Sequence, residues 1–251
     1  MSLLPTDLSL LNAIILIIAS FFTSVLTSAM GIGGGIALLT LMAQLMPISA
    51  VVPVHGIVQL GANTGRALLL YRHIHYHLLG YFSLGAILGG LIGAHIYIAL
   101  PVSTLQLLLG LFILYSIWGP LPQYHLSTHI RGFSALFGAM TTLASIFVGA
   151  IGPLVAILIK SLSLNRQAHV ATFSTCMVIV NIIKVMTFGL LGFAFHDYLL
   201  LMLLMLFTGF IGTWAGQHYL QKISDEKFIK WLNAILTLLA IHLIFQSLKL
   251  F

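Results

Sequence analysis

Charge is scarce in this chain. Only 6% of its 251 residues are Asp, Glu, Lys or Arg, and acids are the rarest, with four against ten basic residues. Soluble domains carry about a quarter charged residues, so this composition excludes one. The four acids, Asp7, Asp197, Asp225 and Glu226, fall in predicted loops or near segment ends. They provide no carboxylate pair for hydrolysis and no intramembrane carboxylate for a proton pump, a role that His55 could take instead. The chain also has no Ser–His–Asp set and no His–Glu zinc motif, and the reading is therefore not an enzyme. Its single cysteine, Cys176, excludes an internal disulfide. The glycine-rich stretch at 31–35 follows no strand, which excludes a nucleotide-binding loop and leaves no cofactor implied. The basic residues are spread over short loops, as expected of connections facing the cytoplasm and anionic headgroups; nucleic acid is not a partner.

What is present is hydrocarbon. Hydrophobic residues make up 60% of the chain and mean hydropathy is +1.14. The expected fold is an all-α polytopic membrane protein with the lipid bilayer as its main partner. Ten apolar segments run roughly over 8–29, 32–46, 48–71, 78–99, 103–119, 131–149, 151–163, 166–191, 197–220 and 227–249. The first lacks a basic leader and is long, so it reads as a retained helix, not a cleaved signal.

The second and seventh segments are short, and each follows a glycine break: Gly31-Ile32-Gly33-Gly34-Gly35 and Gly149-Ala150-Ile151-Gly152-Pro153. The breaks stand 118 positions apart, as do Asn63 and Asn181, and Arg66 and Lys184. Gly90 and Gly93 face Gly209 and Gly212 at 119. This pattern divides the chain into a transmembrane repeat at 1–119, a linker at 120–130 and a second repeat at 131–251.

With ten crossings, Arg72, Arg131, Lys160, Arg166, Lys222, Lys227 and Lys230 share one face and only Lys249 takes the other. Re-entrant short segments would erase that bias, so ten crossings are expected. Five crossings per half make the repeats inverted, an architecture used by secondary transporters with a site near the midplane.

Charges at membrane depth mark substrate or ion paths. His55, Gln59, Asn63 and Arg66 share one helical face, and the second half keeps Asn181 and Lys184 of that pattern. Snorkelling competes as an explanation for the two cations, and helix–helix bonding for the two asparagines. Gly33, Gly34, Gly35 and Gly152 open helix starts whose N–H groups suit an anion, although close packing through glycine explains them equally well. The histidines of Arg72-His73-Ile74-His75-Tyr76-His77 suggest a metal, but without cysteine or carboxylate company they read as an interfacial loop, and no metal is expected.

At these residues the chain resembles the sulfite exporter TauE/SafE family. The matching stretches are Gly31–Gly35, then Val52-Pro53-Val54-His55-Gly56-Ile57-Val58-Gln59 through Asn63 and Arg66. In the second half they are Val148–Ala156, Ala171-Thr172, Asn181, Lys184 and Phe188–Phe193. Thr40 stands where the family often has proline, Ile151 replaces a small or polar residue, and Phe173 stands where some relatives are polar. The resemblance implies a multi-pass protein of the bacterial inner membrane. It would export or exchange a small sulfur-containing or organic anion. Partners would be that anion and a proton or counter-ion; oligomeric state is not legible. The rival readings are a passive anion channel and a non-transporting membrane scaffold.

Overall fold

In a computed structural model, residues 8–30, 33–120, 130–162, 164–219 and 226–249 are described. Gly31 and Ile32 of the first break, residues 121–129 of the expected linker and the loop residue Lys222 lie outside them. Among the described residues, ten α-helices and two 3-10 turns account for the regular structure: α1 (Leu10–Met30), α2 (Gly34–Leu45), α3 (Ile48–Leu69), α4 (Tyr76–Ala99), α5 (Val102–Trp118), α6 (Ile130–Val148), α7 (Gly152–Lys160), α8 (Arg166–Leu190), α9 (Leu199–Tyr219) and α10 (Glu226–Leu248). The chain is a polytopic helical membrane protein. In hydrocarbon a helix closes its own backbone bonds, and long apolar runs fold this way.

Among the described residues, five stretches are long and apolar enough to cross a bilayer: Leu10–Ser28, Tyr76–Ala99, Arg131–Val148, Gln167–Leu190 and Phe195–Gly216. α3 has the length, at 22 residues, but not the hydropathy, because Pro53, His55, Gln59, Asn63 and Arg66 interrupt it. α2 and α7, at 12 and 9 residues, are about 18 and 14 Å long, well short of the roughly 30 Å hydrocarbon core.

The helices form two compact units. Unit 1 comprises 1–58, 100–119 and 194–251; unit 2 comprises 59–99 and 120–193. Each draws on both halves of the sequence. In unit 1 the most extensive pairing is α1 with α9, and in unit 2 it is α4 with α6. The first helix of each half thus packs on the fourth helix of the other.

Both pairings are close approaches through glycine. A methyl on Gly85 or Gly89 of α4 would sit on the Ala135 or Ala139 carbonyl of α6. Further along, one on Gly93 would meet Ile146 Cδ1 at 2.6 Å. In unit 1, Gly212 of α9 lies against the Phe21 carbonyl and Gly216 against Val25. Ser20 Oγ donates to the Met205 carbonyl at 2.7 Å and Thr208 Oγ1 to Ile17 at 2.9 Å. Lipid tails are as apolar as leucine, so small residues and such hydroxyl bonds drive this association. In both pairs the contacts advance together along the two helices, which run parallel.

The helix boundaries repeat the sequence offset. α1 ends at Met30, α2 starts at Gly34 and α3 at Ile48; α6 ends at Val148, α7 starts at Gly152 and α8 at Arg166, each 118 further on. A 3-10 turn follows the third helix of each half, at Tyr71–His73 and Phe195–Tyr198.

Candidate functional site

The first break belongs to unit 1. Gly33 caps α2 with φ 113°, a conformation open to glycine and strained for other residues. A methyl on Gly34 would overlap the Thr23 carbonyl and the Thr27 hydroxyl. α2 therefore starts beside Thr23, about two turns inside the end of α1. It runs back until Asn12 Nδ2 donates to the Leu45 carbonyl at 2.8 Å. The helix start lies within the length of α1, not at its end. His55, 1% exposed, donates from Nε2 to the Gly35 carbonyl at 3.0 Å. The carbonyl can only accept, so that nitrogen carries the proton.

The second break belongs to unit 2. Gly149 takes φ 75°, and α7 begins three residues later with Pro153 in its first turn, where the missing N–H is harmless. A methyl on Gly152 would meet the Phe173 ring at 3.5 Å. Phe173 is the counterpart of His55 at the 118 offset. The same helix position thus braces both breaks, with an imidazole on one and a phenyl ring on the other.

Lys184 reaches the second break from α8. It is fully buried, and its ammonium donates to the Gly149 carbonyl at 2.8 Å, its one bond among the described residues. Asn181, one turn earlier and 1% exposed, has no partner there for Oδ1 or Nδ2. Phe173, Met177, Asn181, Lys184 and Phe188 share one stripe of α8. At the Phe188 end of this stripe the Tyr97 ring meets Phe188 at 5.0 Å and Phe147 at 6.3 Å. Toward the other end lies an apolar cluster that includes Met177, Val180 and Phe82.

The other sequence candidates, Gln59, Asn63 and Arg66, also fall in unit 2, on the last three turns of α3. Asn63 is 3% exposed and its Nδ2 donates to the Gln59 carbonyl at 2.8 Å. Arg66 is partly buried in the last turn, with Nε on the Ala62 carbonyl at 3.3 Å. Both are thus bonded to their own helix. A cation in a last turn also meets the helix dipole favourably. The duplicated Asn–cation pairs are therefore not equivalent: the first lies near a helix end, and the second is sealed inside.

Electrostatics separate the units further. Unit 2 contains Arg66, Arg72, Arg131, Lys160, Arg166 and Lys184, and its sequence has no Asp or Glu. The net charge of the whole sequence, +6, equals that of the residues in the ranges of unit 2. No acid of that unit neutralises Lys184. Sequence reasoning missed Gly149 as the residue holding the ammonium; its signal was a second glycine three positions before the helix start.

No curated protein and no solved structure matches the chain. A family model, described as Sulfite exporter TauE/SafE, matches residues 16–243. That match spans all ten helices in whole or in part, both glycine breaks and the buried lysine, and the chain belongs to the sulfite exporter TauE/SafE family of membrane transport proteins.

Proposed function

We propose that the protein is a secondary transporter for a small sulfur-containing or organic oxyanion, working by alternating access in the bacterial inner membrane. Lys184, Asn181 and the opened helix start at Gly152 form its anion centre in unit 2. Gly33, Gly34, Gly35 and His55 are the related element in unit 1. Gln59, Asn63 and Arg66 line the approach. The observation that carries this reading is a fully buried lysine in a unit without a single acid. A buried charge calls for a counter-charge, and in this unit an anionic ligand is the available source. The N–H groups of Ile151 and Gly152 have no partner among the described residues and suit the same charge.

The inverted-repeat architecture is part of the proposal, with repeats at 1–119 and 131–251 and a linker at 120–130. Gly110 of α5 packs on Ala240 and Ile244 of α10. Eight residues on, Trp118 Nε1 donates to Thr237 Oγ1 at 2.9 Å. The contacts advance in opposite senses, so these two corresponding helices run antiparallel. A re-entrant α7 would return the chain to the face it left and set them parallel. The antiparallel packing supports a full crossing through α7 together with its break.

Flux of a sulfur or carboxylate oxyanion into sealed liposomes tests the function. Wild type is expected to carry it with saturation and counter-exchange, and Lys184→Met to carry none. Unchanged flux in a folded Lys184→Met protein would remove the proposal, and flux without saturation or exchange would make the protein a channel.

A further inference from the structure

The chemistry around Asn181 specifies more than a negative charge. The carboxamide is 1% exposed, and neither Nδ2 nor Oδ1 has a partner among the described residues. Buried polar atoms are rarely left so, and each such case calls for an explanation. Because both ends are open, exchanging the amide oxygen and nitrogen leaves the inventory unchanged. One turn on, the Lys184 ammonium gives one of its three N–H groups to the Gly149 carbonyl and keeps two. The patch therefore offers four N–H donors, one acceptor and one buried positive charge.

We infer that the ligand of the Asn181–Lys184 patch is a singly charged oxyanion that also carries a hydrogen-bond donor. This rests on reading the patch as the anion centre. Its negative oxygens would take the N–H groups, and its own O–H would answer Asn181 Oδ1. A dianion would leave one charge uncompensated in a low-dielectric interior. Arg66 is not counted in the patch: it lies on α3, with Nε on the Ala62 carbonyl of its own helix. A monoanion without a donor would press lone pairs against Oδ1 and leave it unpaired. Sites built to bond a ligand hydroxyl discriminate strongly against analogues lacking it. The donor has two possible sources: a proton on the oxyanion itself, or a hydroxyl beside the charged group.

Thermal stabilisation of the full chain in lipid nanodiscs by acetate, glycolate, inorganic phosphate and sulfate tests this. A ligand of the folded state raises apparent stability by mass action. If the donor is a neighbouring hydroxyl, glycolate binds at least about tenfold tighter than acetate at every pH. If it is a proton on the oxyanion, phosphate binding follows the singly charged fraction as pH falls while acetate stays flat. Sulfate is weakest in either case. Asn181→Leu is expected to erase the preference, and Lys184→Met to erase all binding. Equal binding of acetate and glycolate with no phosphate dependence, still abolished by Lys184→Met, would overturn the donor requirement and leave the anion centre standing. Binding led by sulfate would overturn the single charge. Failure of all four probes on wild type would overturn the centre and the inference together. The wild-type comparison needs no variant to fold.

Discussion

Replacing Lys184 by methionine is expected to stabilise the protein and silence it. Methionine keeps the length of the side chain and removes the ammonium. The ammonium is 0% exposed, has one hydrogen bond, to Gly149, and lies in a unit with no acid. Burying an uncompensated ion costs several kcal/mol even after relaxation. Against that relief stands the lost charge-assisted bond, worth about 1.5–3 kcal/mol. The difference favours Lys184→Met by about 1–3 kcal/mol. For a chain of this length each kcal/mol moves Tm by roughly 2–4 °C, so a rise of several degrees is expected. The assay is thermal unfolding in nanodiscs without added anion, beside liposome flux on the same preparation. A fall of Tm by more than a few degrees would refute the reasoning: it would make the ammonium a structural strut whose bond to Gly149 outweighs its desolvation. Unchanged Tm with unchanged flux would refute it from the other side.

Gly89→Val drives a side chain into the Ala139 carbonyl of the parallel α4–α6 pair, and overpacking of this kind costs about 1–3 kcal/mol, read as a lower Tm. Gly149→Ala places a side chain at φ 75° and is expected to cost about 1–2 kcal/mol in thermal unfolding, with weakened anion binding because the carbonyl holding Lys184 shifts. Asn63→Leu should leave anion affinity within about threefold of wild type, since Asn63 already bonds its own helix; a loss as large as that of Asn181→Leu would show the two asparagines to be equivalent. In a Cys176→Ala background, cysteines at Arg72 and Lys160 should react with an impermeant reagent from one face and cysteines at Pro101 and His196 from the other. Labelling of Arg72→Cys and Pro101→Cys from the same face would contradict the ten-crossing topology.

Much of this protein is written in its one-dimensional pattern. Apolar runs with almost no charge have one stable form in hydrocarbon, so the helices follow from the sequence. The same glycine breaks at one offset reappear as helix starts at Gly34 and Gly152. The polar face of α3 was legible by spacing, because a helix imposes its period on any residue it contains. Packing across the sequence was not legible. That α1 pairs with α9, and α6 with α4, depends on which glycine faces allow which backbones to touch. Nor could spacing separate Arg66 from Lys184, since both follow an asparagine at the same interval. Only the tertiary structure decided that one cation ends a helix while the other is fully buried, on a carbonyl that a glycine at positive φ presents to it. The physical reason is that burial belongs to the assembled neighbours and not to the residue. The desolvation of Lys184 therefore comes into being only with the fold.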